Sequence, residues 1–178
     1  SYSPYEITFQ DVEVPVEDRL GEEGQGFAIC EKWLIEGRIP YAAGTIGIAQ
    51  AALQIAIDWA RERTTFGSRL ADKQAVQWMI ADSEMELRAA RLLTWQAAWI
   101  ADSGRGDLKV ATSIAKVMAT EAAGRVVDRA IQVMGGLGVS CELPLERWYR
   151  ELRIKRIGEG PTEVHRMVLA RQLLGNRR

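Results

Sequence analysis

The amino-acid sequence predicts an all-α fold, an up-and-down bundle of the four-helix type, with one short β-strand segment at its N-terminal end. Two observations favour this fold: apolar residues recur three and four positions apart over long stretches, and short loops separate the stretches. A third is a single period-two stretch near the N-terminus. Of the 178 residues, 47% are hydrophobic and 26% are charged, which is enough apolar material for one core.

Charge and composition exclude several classes of function. Lys and Arg number 23 against 24 Asp and Glu, so no basic excess points to a nucleic-acid partner. Charged residues interrupt every apolar run before the roughly 20 residues that a membrane span needs. His165 is the single histidine, so we expect no zinc site built on two imidazoles. Cys30 and Cys141 lie far apart and are expected to be free thiols.

The N-terminal stretch alternates apolar and polar side chains over residues 5–12, which predicts a short strand. Pro15 ends this pattern, and three glycines between positions 21 and 26 mark a passage rich in turns. One strand cannot form a sheet by itself. We therefore expect its partner strands in another chain or in sequence that is absent here.

Two long helices follow. The first is predicted over residues 27–63, although Pro40 is expected to end or kink it. The second is predicted over residues 70–102. Its apolar or small residues alternate by four and three, the spacing of a seam in a helix bundle, at positions 76, 80, 83, 87, 90, 94, 97 and 101.

Three further helices complete the prediction. The third covers residues 108–134, and Gly135–Gly136 is expected to cap its C-terminus. A shorter helix is predicted over residues 144–154, and the last over residues 161–174, with Pro161 in its first turn. The residues of the third helix expected to face inward are Ile114, Val117, Ala122, Val126, Ala130 and Val133.

The most pointed local feature is Glu159, which stands between Gly158 and Gly160 at the start of the last helix. The glycines leave room for another molecule to approach the backbone. A carboxylate with such access, partly buried beside a ligand, could abstract a proton. From the residues alone a structural interpretation is also open, in which Glu159 complements the helix dipole and Glu163 supports the N-cap.

Two other motifs could bind a ligand. Arg63 and Phe66, in a connection between two helices, could hold a phosphate and a flat ring, or could form an ordinary loop with Phe66 in the core. The amides of Gly135–Gly136 could meet a phosphate, or could simply cap a helix. Arg38 lies in an otherwise apolar helix and could reach an anionic ligand or a neighbouring acid.

Four motifs, taken in order, resemble the C-terminal part of the acyl-CoA dehydrogenase family. They are EITFQDVEVPVEDRLGEEGQGF, RTTFGSRLADKQAVQ, QVMGGLG and LERWYRELRIKRIGEGPTEVHR, and the similarity covers essentially the whole chain. The family has an N-terminal helical domain, a central β-domain and a C-terminal bundle. The resemblance implies that residues 1–23 are the terminal strand and linker of the preceding β-domain and that residues 24–178 are the bundle.

The resemblance also implies a cofactor site. In this family FAD is held between the β-domain and the bundle, and its adenosine end reaches the neighbouring subunit. Three residues match the RxxFGxxLxxxQ positions that contact FAD, and three match the QxxGG positions that receive the dinucleotide from the partner subunit. The first three are Arg63, Phe66 and Gln74, and the second three are Gln132, Gly135 and Gly136.

The last motif implies the remaining site residues. Glu159 matches the catalytic base, and Arg38 and Gly160 match positions near the acyl-CoA substrate. Pro161 stands where the family usually has Thr, which removes a hydroxyl contact with the flavin. The neighbouring polar residues, assigned to the cofactor in its place, are Thr162 and Glu163.

The implied activity is α,β-dehydrogenation of an acyl-CoA thioester, in which Glu159 removes the α-proton while a hydride passes to FAD. An electron-transfer flavoprotein would accept the electrons, and the enzyme would be a homodimer or homotetramer in the cytoplasm of a bacterial-type cell or in the mitochondrial matrix. This chain by itself is expected to be inactive. Two alternatives remain open: an acyl-CoA oxidase on the same scaffold, and a non-catalytic helical assembly module.

Overall fold

The computed structural model describes residues 5–175. Residues 1–4 of the first predicted domain and residues 176–178 of the second lie outside the described range. The predicted all-α bundle is confirmed. The described part of the chain forms five α-helices: α1 (Gly26–Glu62), α2 (Gln74–Ser103), α3 (Leu108–Met134), α4 (Leu145–Lys155) and α5 (Thr162–Leu173). Short 3₁₀ turns lie at Val16–Asp18, Leu70–Asp72 and Gly135–Val139.

Helix α3 is the centre of the bundle. It packs against α1 and α2 along its length and against α4 and α5 on its remaining side. Small side chains let the helices approach closely, because interaxial distance follows side-chain size. The fully buried alanines of this contact are Ala42, Ala49, Ala52, Ala56 and Ala60 on α1, and Ala115, Ala119, Ala122 and Ala123 on α3.

The seam predicted for α2 is confirmed over most of its length. The residues at positions 83, 87, 90, 94 and 97 are buried, and those at 76 and 80 are half-buried against the core. The predicted contact at Ala101 is wrong, because Ala101 is exposed and Ile100 is buried instead. Ala101 lies close to the C-terminal end of α2 at Ser103, and Ile100 packs instead against the following loop, where a Cβ added at Gly106 would lie 3.5 Å from its Cδ1.

The helix boundaries agree with the predictions to within one residue, except at the start of α2. Helix α3 has the predicted bounds, and Gly135 caps its C-terminus with φ 64°. Ile114 and Val117 are half-buried, whereas the other four residues predicted to face inward on α3 are buried. Helix α1 continues through Pro40 instead of ending there.

A β-hairpin replaces the simple loop expected between α1 and α2. Its strands β1 (Thr64–Thr65) and β2 (Ser68–Arg69) pair antiparallel, with Thr64 opposite Arg69. Phe66 and Gly67 form the two-residue turn with φ values of 50° and 78°, the positive values that tight hairpins favour. The 3₁₀ turn at Leu70–Asp72 follows, and therefore α2 begins at Gln74 rather than at residue 70.

The strand predicted over residues 5–12 does not form. These residues are exposed and have no strand partner in the described part of the chain. The period-two pattern is local, whereas a strand requires a hydrogen-bonded neighbour. Tyr5, Ile7 and Phe9 are consequently more than two-thirds exposed.

Candidate active site

Glu159 lies in a strained turn between α4 and α5. Its φ is 54°, and the φ of Gly160 is 94°. A left-handed backbone costs a residue with a Cβ atom roughly 1–2 kcal/mol. Such strain persists only where the surrounding structure over-determines it, and it clusters at functional sites.

Side chains from three helices hold the backbone of this turn. Lys116, on α3, donates from Nζ to the carbonyl oxygens of Gly160 at 2.7 Å and of Arg156 at 3.2 Å. The hydroxyl of Tyr41, on α1, donates to the carbonyl oxygen of Lys155 at 3.3 Å. His165, on α5, lies with Nε2 3.3 Å from the carbonyl oxygen of Glu159. The position of Glu159 is therefore set by contacts to the backbone around it.

The His165 side chain is buried in contact with the turn. Its Nδ1 lies 3.1 Å from the hydroxyl oxygen of Ser113. A neutral imidazole has one donor and one acceptor nitrogen. If Nε2 donates to the Glu159 carbonyl, Nδ1 accepts from the Ser113 hydroxyl. In the other tautomer the Ser113 hydroxyl is free to donate to the carbonyl of Lys109, which lies 2.7 Å away. Burial, reinforced by the charges of Arg38 and Lys116, lowers the pKa of His165 to about 4. The imidazole is therefore neutral at physiological pH.

The Glu159 carboxylate points toward α1. Its Oε2 is buried and has no hydrogen-bond partner among the described residues. A Cβ added at Gly37 of α1 would lie 4.0 Å from this oxygen, with no other non-local atom within that distance. A buried polar atom without a partner is costly and rare in native structures. The free Oε2 is therefore available to a group that enters the space beside Gly37.

Arg38 supplies positive charge beside Glu159. It is half-buried, and burial lowers the pKa of its guanidinium while the charge of Glu159 partly offsets that effect. Its Nε is buried and has no partner among the described residues, as is the case for Oε2 of Glu159. The two groups attract each other but form no direct salt bridge within residues 5–175. Each therefore retains a buried polar atom without a hydrogen-bond partner in the described structure.

The two glycines around Glu159 have a structural role. A Cβ at Gly158 would lie 2.9 Å from the Tyr41 hydroxyl, and one at Gly160 would lie 3.1 Å from Nε2 of His165. The interpretation from sequence assigned both glycines to ligand access. The structure instead shows close packing of protein side chains against both. A substrate contact at Gly160 stays a prediction.

Thr162 and Glu163 begin α5 beside this turn. The Thr162 side chain is buried, and its hydroxyl donates to Oε1 of Glu163 at 3.3 Å. Glu163 is exposed, and its pKa is lowered first by a hydrogen bond from its own backbone N–H. This contact agrees with the open alternative in which Glu163 supports the N-terminus of the helix. A contact of either residue with a cofactor stays a prediction.

A second cluster lies at the far end of α1. Arg63, Gly135 and Gly136 line one cleft of about 460 Å³, together with Trp59, Thr65, Leu70, Val133, Met134 and Leu137. The Arg63 guanidinium lies 5.8 Å from the centre of the Trp59 ring. The structure thus brings together three of the six residues predicted to bind a dinucleotide.

The other three predicted cofactor residues are exposed around this cleft without lining it. Phe66 is fully exposed at the tip of the hairpin, so the alternative that placed it in the core is wrong. Gln74 is the first residue of α2, and Gln132 is exposed near the C-terminus of α3. The side chains of all three are accessible from outside the bundle.

The two clusters are far apart within the chain. Arg38 and Arg63 are separated by 25 residues of α1, which corresponds to roughly 35 Å at 1.5 Å per residue. No residue of the described chain belongs to both clusters. The two sets of predicted residues therefore lie apart, one beside the N-terminal half of α1 and the other at its C-terminal end.

None of the three side chains that hold the Glu159 turn was predicted from the sequence, and the most deeply buried of them is Lys116. It is fully buried on α3 between small or polar neighbours one turn away, Thr112 and Thr120, which are also buried. The sequence did hold one signal: the helical period places this lysine on the buried face of α3. Because unpaired charges are almost never fully buried, a lysine at such a position indicates a specific polar contact.

Among residues 5–175 no group of His, Cys, Asp or Glu could hold a metal ion. Of the helices in the same range, none combines the length and hydropathy needed to cross a bilayer.

Comparison with known proteins identifies what this arrangement is similar to. Residues 24–174 match the family model described as "Acyl-CoA dehydrogenase, C-terminal domain". The chain is 43% identical over 168 residues to the mitochondrial short-chain specific acyl-CoA dehydrogenase of Sus scrofa, a match that covers 94% of this chain and 41% of that protein. It is also 43% identical to the caffeyl-CoA reductase-Etf complex subunit CarC of Acetobacterium woodii, covering 95% of this chain and 44% of that subunit.

A solved structure supports the same relationship. The butyryl-CoA dehydrogenase of Megasphaera elsdenii superimposes with a TM-score of 0.89 at 43% sequence identity. That match covers 93% of this chain and 43% of the Megasphaera enzyme. The chain therefore spans about two fifths of the length of the relatives that it matches.

Proposed function

Because this chain belongs to the acyl-CoA dehydrogenase family, we propose that it forms the helical-bundle part of a flavin-dependent acyl-CoA dehydrogenase. Such an enzyme introduces a double bond between the α and β carbons of an acyl-CoA thioester. The activity belongs to the whole enzyme, since the chain corresponds to about two fifths of its relatives. The bundle contributes the base and part of the cofactor site.

The observation that carries this proposal is the free, buried Oε2 of Glu159. A carboxylate oxygen without a partner can accept the α-proton of a thioester placed in the space beside Gly37. The strained turn holds this oxygen in place before substrate arrives, so little reorganisation is needed when the proton moves. Arg38, next to Gly37 in the sequence, places a positive charge beside Glu159 that can attract an anionic substrate group.

The cleft around Arg63 has the chemistry to hold the dinucleotide end of FAD. A guanidinium suits a pyrophosphate, and the open backbone at Gly135 and Gly136 has no neighbouring atom that would exclude a ligand. Phe66 adds an exposed ring on the adjoining hairpin. When bound, FAD supplies the acceptor for the β-hydride.

The separation of the two clusters supports a homo-oligomer as the working form. Residues at the Arg63 cleft and at the Glu159 turn lie roughly 35 Å apart within one chain. A cofactor whose flavin lies beside one copy's Glu159 can therefore use the Arg63 cleft of the other copy. We propose a homodimer or homotetramer in which each cofactor contacts two chains.

An electron-transfer flavoprotein is the proposed electron acceptor. One relative at 43% identity is named as a subunit of an Etf complex, which supports this choice. Relatives include mitochondrial and bacterial proteins. We propose that the enzyme works in the mitochondrial matrix or in a bacterial cytoplasm.

Substitution of the base tests the proposed activity. In the full-length holoenzyme, we expect Glu159→Gln to keep the visible flavin spectrum but to slow its anaerobic bleaching by butyryl-CoA at least about 100-fold, because the amide cannot accept the α-proton. The matched control is Glu142→Gln, which removes an exposed carboxylate elsewhere and should bleach at the rate of the unsubstituted enzyme. Bleaching of Glu159→Gln at the control rate would show that another group is the base. Rapid reoxidation by air with release of peroxide would identify an oxidase instead.

A further inference from the structure

Lys116 is the largest fully buried side chain in the described part of the molecule. Its ammonium forms no salt bridge within residues 5–175, and its hydrogen bonds go to the carbonyls of Arg156 and Gly160. Burying an ammonium is expensive, and an apolar side chain of the same length would avoid that cost. The position of this lysine therefore needs a reason other than packing.

The two carbonyls that accept from Lys116 lie on either side of Glu159. Arg156 precedes Glu159 by three residues, and Gly160 follows it directly. One Nζ atom thus joins Arg156, which follows α4, to Gly160, two residues before the start of α5. The Arg156 carbonyl also accepts from the backbone N–H of Thr162 at 3.1 Å, so a second hydrogen bond joins the two ends of the same turn.

Lys116 also stands among charged and titratable groups from each element packed on it. Arg38 and Arg156 disfavour its positive charge, whereas Glu159 and Glu163 favour it. Burial is the largest influence and lowers the pKa of Lys116 to about 8. The attraction of nearby acids therefore does not by itself explain a buried lysine at this point.

We propose that Lys116 is a positioning residue for the Glu159 base, holding the two backbone carbonyls that flank it so that the strained turn keeps Oε2 directed at the space beside Gly37. This inference rests on the proposed role of Glu159 as the base. Lys116 acts through the backbone and does not touch the substrate. Loss of its two hydrogen bonds frees the turn to relax from the left-handed conformation, and the carboxylate then moves away from its place.

The test is Lys116→Met in the full-length holoenzyme, which keeps the aliphatic stem and removes both hydrogen bonds. We expect amide hydrogen exchange at Gly158 and Thr162, both hydrogen-bonded within this turn, to accelerate about tenfold or more. We expect the rate of anaerobic flavin bleaching to fall roughly 10- to 100-fold, the size of effect that a displacement of about 1 Å produces. The substrate concentration at half-maximal rate should change less than about threefold.

The matched control is Lys155→Met. Its ammonium lies 4.1 Å from the centre of the Tyr41 ring and attracts Glu159, but it makes no hydrogen bond to the carbonyls of the turn in the described structure. This variant removes a nearby positive charge without removing a link to the backbone. Amide exchange at Gly158 and Thr162 should stay within about twofold of that in the unsubstituted enzyme. Acceleration in both variants alike would overturn the positioning role.

A second variant, Lys116→Gln, covers the case in which Lys116→Met does not fold or does not bind flavin. It keeps N–H donors without the charge, and we expect turn exchange and bleaching rate within about fivefold of the unsubstituted enzyme. If Lys116→Gln shows normal amide exchange in the turn but slow flavin bleaching, the charge of Lys116 is what matters for the rate. That result would overturn the positioning role. If Glu159→Gln remains active, the proposed base is wrong, and the exchange data for Lys116→Met then report on the turn alone.

Discussion

The neutral imidazole of His165 is a residue-scale feature that can be measured directly. Burial and two nearby cations lower its pKa to about 4, well below the ordinary value of about 6.5. We therefore expect the NMR signals of its ring, assigned by comparison with His165→Gln, to stay almost unchanged between pH 8 and pH 6. A titration with a midpoint near 6.5 would show that the ring is solvated and that its contact with the Glu159 carbonyl is not maintained.

The same shift affects stability in acid. Between pH 6.5 and about 4 the unfolded chain binds a proton at His165 that the folded protein does not, so the free energy of unfolding falls as the pH falls through this window. A pKa lowered from about 6.5 to about 4 corresponds to roughly 3 kcal/mol of stability. Urea unfolding at pH 7 and at pH 4 should show a smaller loss of stability for His165→Gln than for the unsubstituted protein. Equal losses in both would remove His165 as a cause of acid sensitivity.

Residues of the site differ in how well the sequence predicts them. Glu159 was singled out because a carboxylate between two glycines at a helix start is a local motif, and its role as the base was implied by the family resemblance. Lys116 was missed because its partners, the carbonyls of Arg156 and Gly160, lie 40 and 44 positions away in the chain. Backbone acceptors have no sequence signature of their own. Only the three-dimensional packing of α3 against the turn reveals the contact.

At the scale of elements, the helices were predictable and the strand was not. The hydrogen bonds of a helix join residues four positions apart in one segment, so the segment alone is enough to predict the helix. Helix α3 accordingly has the predicted bounds. The period-two stretch at residues 5–12 has no neighbour in the described chain and stays unpaired. The hairpin at Thr64–Arg69 was missed because its turn uses Phe66 at positive φ, where glycine or asparagine is the usual signal.

Glycines in α1 and in the hairpin should respond in opposite ways to the same substitution. Gly44 lies inside α1 with open space around an added Cβ, whereas Gly67 has φ 78° in the hairpin turn. We expect Gly44→Ala to raise the free energy of unfolding by about 0.5–1 kcal/mol, because alanine favours the helix. Gly67→Ala should lower it by about 1 kcal/mol, because a Cβ atom disfavours positive φ. Urea unfolding measures both, and a stabilising Gly67→Ala would contradict the left-handed turn.

At the scale of the whole molecule, α2 carries a large apolar surface that the described chain does not cover. Five of its large side chains are more than half exposed, and four of them lie seven residues apart on one face; the five are Trp78, Met85, Leu92, Trp95 and Trp99. The other helices contact the opposite face of α2. Exposed apolar patches of this kind mark protein contacts. This exposed α2 outer face is what the proposed homo-oligomer requires of at least one surface.

A single charge in the α2 outer face tests that association. We expect Leu92→Glu to lower the molar mass of the full-length protein in light scattering, because an interface cannot bury an unpaired carboxylate without a large cost. The control is Leu173→Glu, an exposed leucine of α5 outside this face, which should leave the mass unchanged. If each cofactor contacts two chains, loss of mass in Leu92→Glu should be accompanied by loss of bound flavin. An unchanged mass with normal flavin content would mean that another part of the same protein covers α2, and the Arg63 cleft would then have to be completed without this interface.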